Sequence, residues 1–334
     1  MKSITYIIIL NYNAWQETLE CLESVYRLKG AEYRVVLCDN ASINDSVDKI
    51  KSWVNGSLNV EWKKQVGTYS PANDDIRKPT VTREIICTGN EIPDIEPKEN
   101  ELIILKATAN LGYSGGNNLG VRFALSRMDC GYVWILNNDT VVAGDALEKM
   151  LYTVAKKNYG GISSTVCYYD RPETIQLVGS RLDLENFTLQ GVGSEQSVHE
   201  LADNIHLEML AGPSFLLTRE CMSAVGGMLD ESYFLYCEEM ELAQRINKSG
   251  FALGYAKDSF VYHKGNISAG KKSTAYRDYH VIRSWAIFIR RYYPKYWLKF
   301  KRQYTKLMYK RIMHVHLKRA WAIYTALRDG QSIP

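Results

Sequence analysis

Along the first half of the chain, short apolar runs alternate with segments whose apolar positions recur every three or four residues. Ile4–Leu10 is nearly all apolar, the pattern of a strand buried on both faces of a sheet, and Tyr33–Cys38 is a second such run. Between them Leu19, Leu22, Val25 and Tyr26 share one helical face, so the three segments predict a βαβ unit and therefore a parallel sheet. Leu102–Leu105 and Tyr132–Leu136 predict further strands, separated by a helix that starts after Gly115-Gly116. Leu147, Met150, Leu151 and Val154 mark one more helix. This order predicts an α/β domain of the nucleotide-binding kind, with a Rossmann-like, mainly parallel sheet and helices on both faces.

Two regions depart from the rhythm. Residues from about 55 to 100 hold four of the eight prolines (Pro71, Pro79, Pro93, Pro97) among polar residues, which predicts an insertion or surface excursion. Weak strands are expected within it at Val60-Glu61-Trp62 and Glu84-Ile85-Ile86. The second region begins near Lys264. From there to the end stand 17 Lys/Arg against only Asp278 and Asp329, a charge of +15, whereas the preceding residues carry −11. The overall +4 conceals this split.

In the basic part Val281, Ile282, Trp285, Phe288 and Ile289 fall at helical spacing, and Trp297, Phe300, Tyr304, Leu307 and Met308 do so after Pro294. The organisation expected is a domain over 1–270 and a basic amphipathic helical region over 271–334. Such helices suit the anionic cytoplasmic face of a membrane; the alternative is that they pack on the domain or on a second subunit, so a homo-oligomer is compatible. Charge alone would admit nucleic acid, but no nucleic-acid motif accompanies it and none is expected as a partner.

Composition narrows the class. With 334 residues, 46% of them hydrophobic, the chain can bury a full core. Its seven cysteines are scattered without a C-x-x-C pair, against a disulfide framework or zinc site and in favour of a reducing cytoplasm. The first apolar run is too short for a signal core, and no apolar stretch reaches the roughly 18 residues of a membrane span.

Four clusters carry side chains fit for chemistry. Tyr132–Leu136 runs into Asn137-Asn138-Asp139-Thr140, and a carboxylate at the C-terminal end of a buried parallel strand stands where open α/β sheets bind ligands. Asp139 is a candidate ligand for a hard divalent cation, with His263 as its companion; an N-cap Asp and a structural His are the alternatives. Cys38-Asp39-Asn40-Ala41-Ser42 ends the second strand with groups able to bond a base or ribose, or to form an Asx turn. The loop Asn110–Asn118 has three glycines and opens a helix, which aims N–H groups at an anion such as a diphosphate, or is a plain glycine turn. Glu238, Glu239 and Glu241 open another helix, where acids suit the dipole, but the apolar run Tyr233–Tyr236 ahead of them sets them beside a pocket.

In sequence order, Asp39-Asn40-Ala41-Ser42, Asn110-Leu111-Gly112-Tyr113-Ser114-Gly115-Gly116-Asn117, Asn137-Asn138-Asp139-Thr140, Gly212-Pro213-Ser214-Phe215, Gly226-Gly227-Met228-Leu229-Asp230, Glu238-Glu239 and His263 resemble the motifs of family 2 glycosyltransferases, most closely the rhamnosyltransferase-like branch. The resemblance covers about residues 3–270. It implies the GT-A (nucleotide-diphospho-sugar transferase) fold and inverting transfer from a nucleotide-diphosphate sugar with a divalent cation, Mg or Mn. It assigns Asn11 and Asp39, with Asn40, to the nucleobase or ribose, and Asn110, Gly112, Gly115 and Asn117 to the loop lining the nucleotide, with Asn138 beside them. Asp139, last acid of a D-x-D-like motif, and His263 would hold the metal. Glu239 would be the general base and Glu238 its fallback.

Two positions depart from the family pattern. Glu239 stands where Asp is usual, and Asn137 replaces the first acid of D-x-D, so weak metal binding without donor is expected. The protein expected is a cytoplasmic hexosyltransferase, peripheral on the inner face of the plasma membrane, adding one sugar, rhamnose among the candidates, to a lipid-linked or cell-surface glycan. No Q-x-x-R-W motif of processive synthases is present. The alternatives are a sugar nucleotidyltransferase, whose glycine-rich basic signature Asn11-Tyr12-Asn13 lacks, and a catalytically silent nucleotide-sugar-binding partner.

Overall fold

Strand β1 (Ile4–Asn11) pairs in parallel with β2 (Tyr33–Asp39) across helix α1 (Trp15–Val25), and the rest of the sheet grows outward from this unit. The computed structural model describes residues 3–60, 66–67, 76, 78–89, 95–265 and 274–332. On one side of β2 lie β4 (Glu101–Ala107) and then β3 (Val81–Cys87), both parallel. On the other side of β1 come β5 (Cys130–Asn137), antiparallel β11 (Ser214–Thr218), β7 (Gly161–Tyr168), β12 (Leu253–His263) and the short β6 (Thr140–Val142). β8 (Ile175–Leu177) hangs on β7, and β9 (Gly179–Asp183) with β10 (Thr188–Val192) forms a separate ribbon.

Alternate residues of each strand enter different cores, as the period of two demands. Ile7, Ile9, Leu37, Ile104 and Trp134 meet α1, α2 (Ser46–Val54) and α4 (Ala146–Lys157) on one face. Tyr6, Ile8, Val36, Ile103 and Ile135 meet α3 (Gly112–Leu125), α6 (Glu238–Lys248) and the C-terminal helices on the other. Burial on both faces explains why these strands read as continuous apolar runs. All four expected strands are present; three of them, β1, β2 and β5, end on the polar residue beyond the apolar stretch, which is what delivers Asn11, Asp39 and Asn137 to the sheet edge.

Within the excursion from about 55 to 100, Glu84-Ile85-Ile86 lies in β3 at the sheet edge, Val60 is outside any strand, and Glu61 and Trp62 lie outside the described residues. All seven cysteines are buried and unpaired.

Helices α5 (Arg219–Ala224), α7 (Thr274–Tyr292), α8 (Trp297–Met313) and α9 (Leu317–Gln331) complete the described chain. The apolar faces expected of the basic region turn inward. Ile282, Trp285, Phe288, Ile289 and Phe300 are buried in one continuous cluster with Tyr6, Ile8 and Ile135 of the sheet. Phe300 stacks edge-on with Phe187 at 5.0 Å and lies against Trp297 and Tyr304, so α8 is locked by rings rather than by charge.

Phe300→Ala is expected to lower stability by about 3–5 kcal/mol, while Trp321→Ala, on the exposed side of the same hairpin, changes it by no more than about 0.5 kcal/mol. Denaturant midpoints of the two variants check the difference.

Candidate active site

The register of parallel strands builds the first part of the site. Asn11 is the register partner of Asp39, so two polar side chains emerge together at the C-terminal ends of β1 and β2. Asn11 Nδ2 donates to Asp39 Oδ1 at 2.7 Å and to Ser42 Oγ at 3.1 Å, and Thr18 Oγ1 donates to Asn11 Oδ1 at 2.9 Å. Asp39 Oδ2 accepts the backbone N–H of Ser42, three residues on, at 3.1 Å, a local side-chain-to-backbone bond one residue longer than the Asx turn expected, and Ala41 between them takes a left-handed φ of 59°. The binding reading and the turn reading of this segment are therefore compatible: the turn orients the carboxylate. Asn138 joins through Nδ2 to Thr18 Oγ1 at 2.9 Å.

Asn40 ties this corner to the glycine loop. Its amide donates to Asn110 Oδ1 at 3.0 Å and to the Gly112 carbonyl at 2.9 Å, while its Oδ1 accepts the Leu111 N–H at 2.9 Å. The helix begins at Gly112, earlier than the Gly115 expected, and glycine is required at that position, where φ is +72° and a Cβ would lie 2.2 Å from the Phe234 carbonyl. Asn117 is turned inward, donating to the Tyr113 carbonyl at 3.0 Å, so it lies within the loop's own scaffold.

At the neighbouring edge, β12 pairs with β6 so that His263 faces Thr140, the residue after Asp139. His263 Nε2 is 3.2 Å from Asp139 Oδ1, and its Nδ1 is 2.7 Å from Gln176 Oε1. An amide oxygen only accepts, so the ring donates from Nδ1. In the neutral ring the Nε2 lone pair then points at a carboxylate oxygen, and a proton or a metal cation must lie between two such acceptors. A separation of 3.2 Å is what adjacent ligands of one ion at about 2.1 Å would show. Asp139 and His263 thus fit a divalent cation. Among the described residues no cluster of three or more His, Cys, Asp and Glu side chains suits a metal, so Asp139 and His263 would act there as a pair. The adjoining Lys264 is ion-paired with Glu20.

The acids at the start of α6 differ sharply. Glu241 is structural: it binds Arg245 through both oxygens, the closest contact being 2.7 Å, and accepts the Tyr292 hydroxyl at 2.7 Å. Glu238 is buried, its Oε2 without a hydrogen-bond partner among the described residues. Glu239 is partly exposed and lies against Gly212, where a Cβ would come within 2.2 Å of its Oε1; only glycine leaves the carboxylate that space. Burial, then the charge of Glu239, pushes the Glu238 carboxyl well above the ordinary range, and burial raises Glu239 too.

The turn before these acids is strained. Tyr236 and Cys237 both adopt left-handed φ, 70° and 69°, at a cost of about 1–3 kcal/mol each. Contacts on two sides hold it. From α3, Tyr113 N–H donates to the Phe234 carbonyl at 2.8 Å and Ser114 Oγ to the Tyr233 carbonyl at 2.7 Å. From α7, Arg283 donates to the Ser232 carbonyl and Ser284 Oγ to the Leu235 carbonyl, both at 2.9 Å.

Tyr113 lies between the acid groups. Its hydroxyl is 3.2 Å from both Asn137 Oδ1 and the Gly212 carbonyl, and burial followed by the charges of Glu239, Glu238 and Asp139 holds the phenol well above its usual pKa. The base candidates and the metal candidate therefore share one end of the sheet. Tyr113, Gln176 and Thr18 were not singled out as site residues from the sequence, whereas Ser42 lay within a cluster that was. Tyr113 sat inside a motif recognised for its glycines, and no local pattern marks Gln176.

The family model described as "Glycosyl transferase family 2" matches residues 6–67 and 88–207, more than half of the chain. Among named relatives, the "Low-salt glycan biosynthesis hexosyltransferase Agl10" of Haloferax volcanii is 25% identical over 54% of this chain and 57% of its own length. Rhamnosyltransferase WbbL of Escherichia coli is 25% identical over 46% of this chain and 60% of its own. The N-acetylglucosaminyl-diphospho-decaprenol L-rhamnosyltransferase of Mycobacterium tuberculosis is 32% identical over 21% of this chain and 23% of its own. The chain spans 57–60% of the length of the first curated relatives it matches. Among solved structures, GalNAc-T7 with UDP, GalNAc and Mn2+ superposes with a TM-score of 0.61 at 13% identity, covering 88% of this chain and 49% of that one. The mannosyltransferase PcManGT of Pyrobaculum calidifontis, with GDP-Man and Mn2+, gives 0.52 at 15% identity over 98% and 74%. These likenesses establish the GT-A fold.

A carboxyl whose pKa is raised by folding binds its proton more tightly in the native state, so its ionisation destabilises the fold. Stability from Glu238 is complete below the ordinary value of 4.5 and is lost as pH rises from there through its raised native value. Glu238→Gln is expected to raise the Tm at pH 8 and leave it nearly unchanged at pH 4, which thermal melts at the two pH values check.

Proposed function

We propose that this chain, which belongs to glycosyl transferase family 2, is an inverting, metal-dependent hexosyltransferase that adds a single sugar, with rhamnose the first candidate, to a lipid-linked glycan acceptor. The observation that carries the reading is the convergence around Tyr113 of a paired Asp139 and His263 with two carboxyls of raised pKa. Asn11, Asp39 and Asn40 would receive the nucleoside, and the start of α3 (Asn110, Gly112, Gly115, with Asn117 as scaffold) and Asn138 would line the diphosphate side. Asp139 and His263 would hold Mg or Mn, with Gln176 fixing the imidazole; the rest of the coordination shell must come from water and the donor's oxygens. When bound, the cation neutralises charge that develops on the departing diphosphate.

Glu239 would take the proton of the acceptor hydroxyl as that oxygen attacks the anomeric carbon and the carbon–oxygen bond to the diphosphate breaks on the opposite side. The configuration is inverted, and the proton ends on Glu239. Its raised pKa makes Glu239 a stronger base than an exposed glutamate, and one that is protonated at a higher pH. Burial is what raises it, and Glu238, buried beside Glu239, is the fallback base. The acceptor class is supported by the decaprenol-linked relative's name, and the rhamnose by two relatives named as rhamnosyltransferases. A lipid-linked acceptor puts the enzyme at an anionic membrane face, on the cytoplasmic side where nucleotide sugars are made, and among the described residues no helix is long and apolar enough to cross a membrane.

Screening dTDP-, UDP- and GDP-sugars with Mn or Mg tests the reading. One donor should be turned over only with metal. Glu239→Gln should lose at least about 100-fold in transfer while binding that donor unchanged, and wild-type rate should fall on the acid side as Glu239 protonates. Donor binding with no turnover on any lipid-linked acceptor would instead favour a catalytically silent partner. Gln176→Leu should weaken metal binding about 10–100-fold, read by titration in the presence of the nucleotide diphosphate.

A further inference from the structure

The apolar faces that spacing assigned to the basic helices are buried, which leaves their outward surface to be explained. That surface is itself apolar at one end. Of the fifteen large hydrophobic side chains exposed among the described residues, seven lie between Tyr309 and Tyr324, where α8 turns into α9. Met313 is 80% exposed, Val315 78%, Trp321 65% and Leu317 60%, and Trp321 lies against Tyr324 with ring centroids 5.5 Å apart. The remaining exposed hydrophobics are mostly scattered singly, as is normal.

The apex is also strained. Val315 adopts φ 59°, a conformation that β-branched residues avoid, and it stands between the chain reversal's hydrogen bonds from its own N–H to the Ile312 carbonyl at 2.9 Å and from His316 N–H to the Arg311 carbonyl at 2.8 Å. A glycine or asparagine would relax that turn. Folding alone gives no reason to place an exposed valine there.

Charge identifies the occupant. Residues 297–324 contain eight Lys/Arg and no Asp or Glu. Arg319 pairs with Asp278 and Lys299 with Glu185, whereas Lys306, Lys310 and Lys318 form no ion pair among the described residues. A second copy of the chain would set this basic surface against itself across a two-fold axis, and lysine is depleted from protein interfaces. An anionic bilayer satisfies both features at once: Trp and Tyr settle at the headgroup level, the aliphatic apex enters the acyl boundary, and lysines reach phosphates around it.

We propose that the α8–α9 apex, residues 309–324, is a docking surface for an anionic lipid bilayer, inserted by Met313, Val315, Leu317 and Trp321 and held by Lys310 and Lys318. This rests on the lipid-linked-acceptor reading and deepens it by naming the contact. The other faces of α7 and α8 then serve the fold, and the membrane contact is confined to the hairpin end.

The test is co-sedimentation of the full chain with vesicles of phosphatidylcholine alone and of phosphatidylcholine with phosphatidylglycerol, alongside nucleotide-sugar titration and analytical ultracentrifugation. Binding is expected only with phosphatidylglycerol, weakened about fivefold by each of Lys310→Gln and Lys318→Gln and at least about tenfold by the triple variant Met313→Ser/Leu317→Ser/Trp321→Ser. These positions are exposed, so circular dichroism and donor affinity should not change. Absence of vesicle binding by the wild type, or a triple variant that binds like the wild type, overturns the proposal. So does a dimer that the triple variant dissolves without any vesicle binding, which would make the apex a self-association surface, or binding to nucleic acid in place of vesicles. Vesicle binding without donor binding would leave the docking surface standing and reject the transferase reading; donor binding without vesicle binding would do the reverse.

Discussion

Like charges gathered in a poorly solvated cleft repel, and the arrangement of this molecule follows from holding them together. Asp139, Glu238 and Glu239 all act on the buried Tyr113 hydroxyl, and none of the three is paired with Lys or Arg among the described residues. Left to itself such a cluster would protonate or spread. It is held because each acid belongs to a rigid element: Asp139 follows the central strand β5, while Glu238 and Glu239 open α6 behind a turn that is strained at two successive residues. Tyr113 contributes a hydroxyl that bridges toward Asn137 and Gly212 without adding charge of its own.

The strain at Tyr236 and Cys237 persists because the turn is gripped from both sides, by Tyr113 and Ser114 of α3 and by Arg283 and Ser284 of α7. The basic C-terminal helices are consequently part of the machinery that aims the acids. Glu241 repeats the theme one turn along α6, where its bonds to Arg245 and Tyr292 tie that helix to α7. One end of the C-terminal region thus sets the geometry of the site, and the other presents exposed apolar and basic side chains at the hairpin apex. A protein whose acceptor is carried in a bilayer would gain from having both on one packed unit.

Much of this was legible in the order of residues. Two-sided burial makes a strand uniformly apolar, so β1, β2, β4 and β5 could be located, and the polar clusters that follow β2 and β5 could be read as facing the ligand edge. The ordered motifs marked Asp39, Asn110–Asn117, Asp139, Glu238, Glu239 and His263 as a set. Helical spacing likewise identified the buried faces of α7 and α8, because periodicity records which side of a helix is apolar.

Periodicity does not record what covers that side, and here the tertiary structure packs it on the sheet: Trp285, Phe288 and Phe300 lie in the same core as Ile8 and Ile135. Nor could spacing reveal Gln176 as the partner of His263, or divide Glu241 from Glu239, since those roles depend on strand register and on which neighbour lies within hydrogen-bond reach. The α/β alternation, the polar strand ends and the family follow from the order of residues alone, because these are local patterns of polarity and residue type. The bond between Gln176 and His263, the strained turn gripped from α3 and α7, and the packing of the C-terminal helices on the sheet came only from folding, because each joins segments far apart in the chain through distances that no linear pattern encodes.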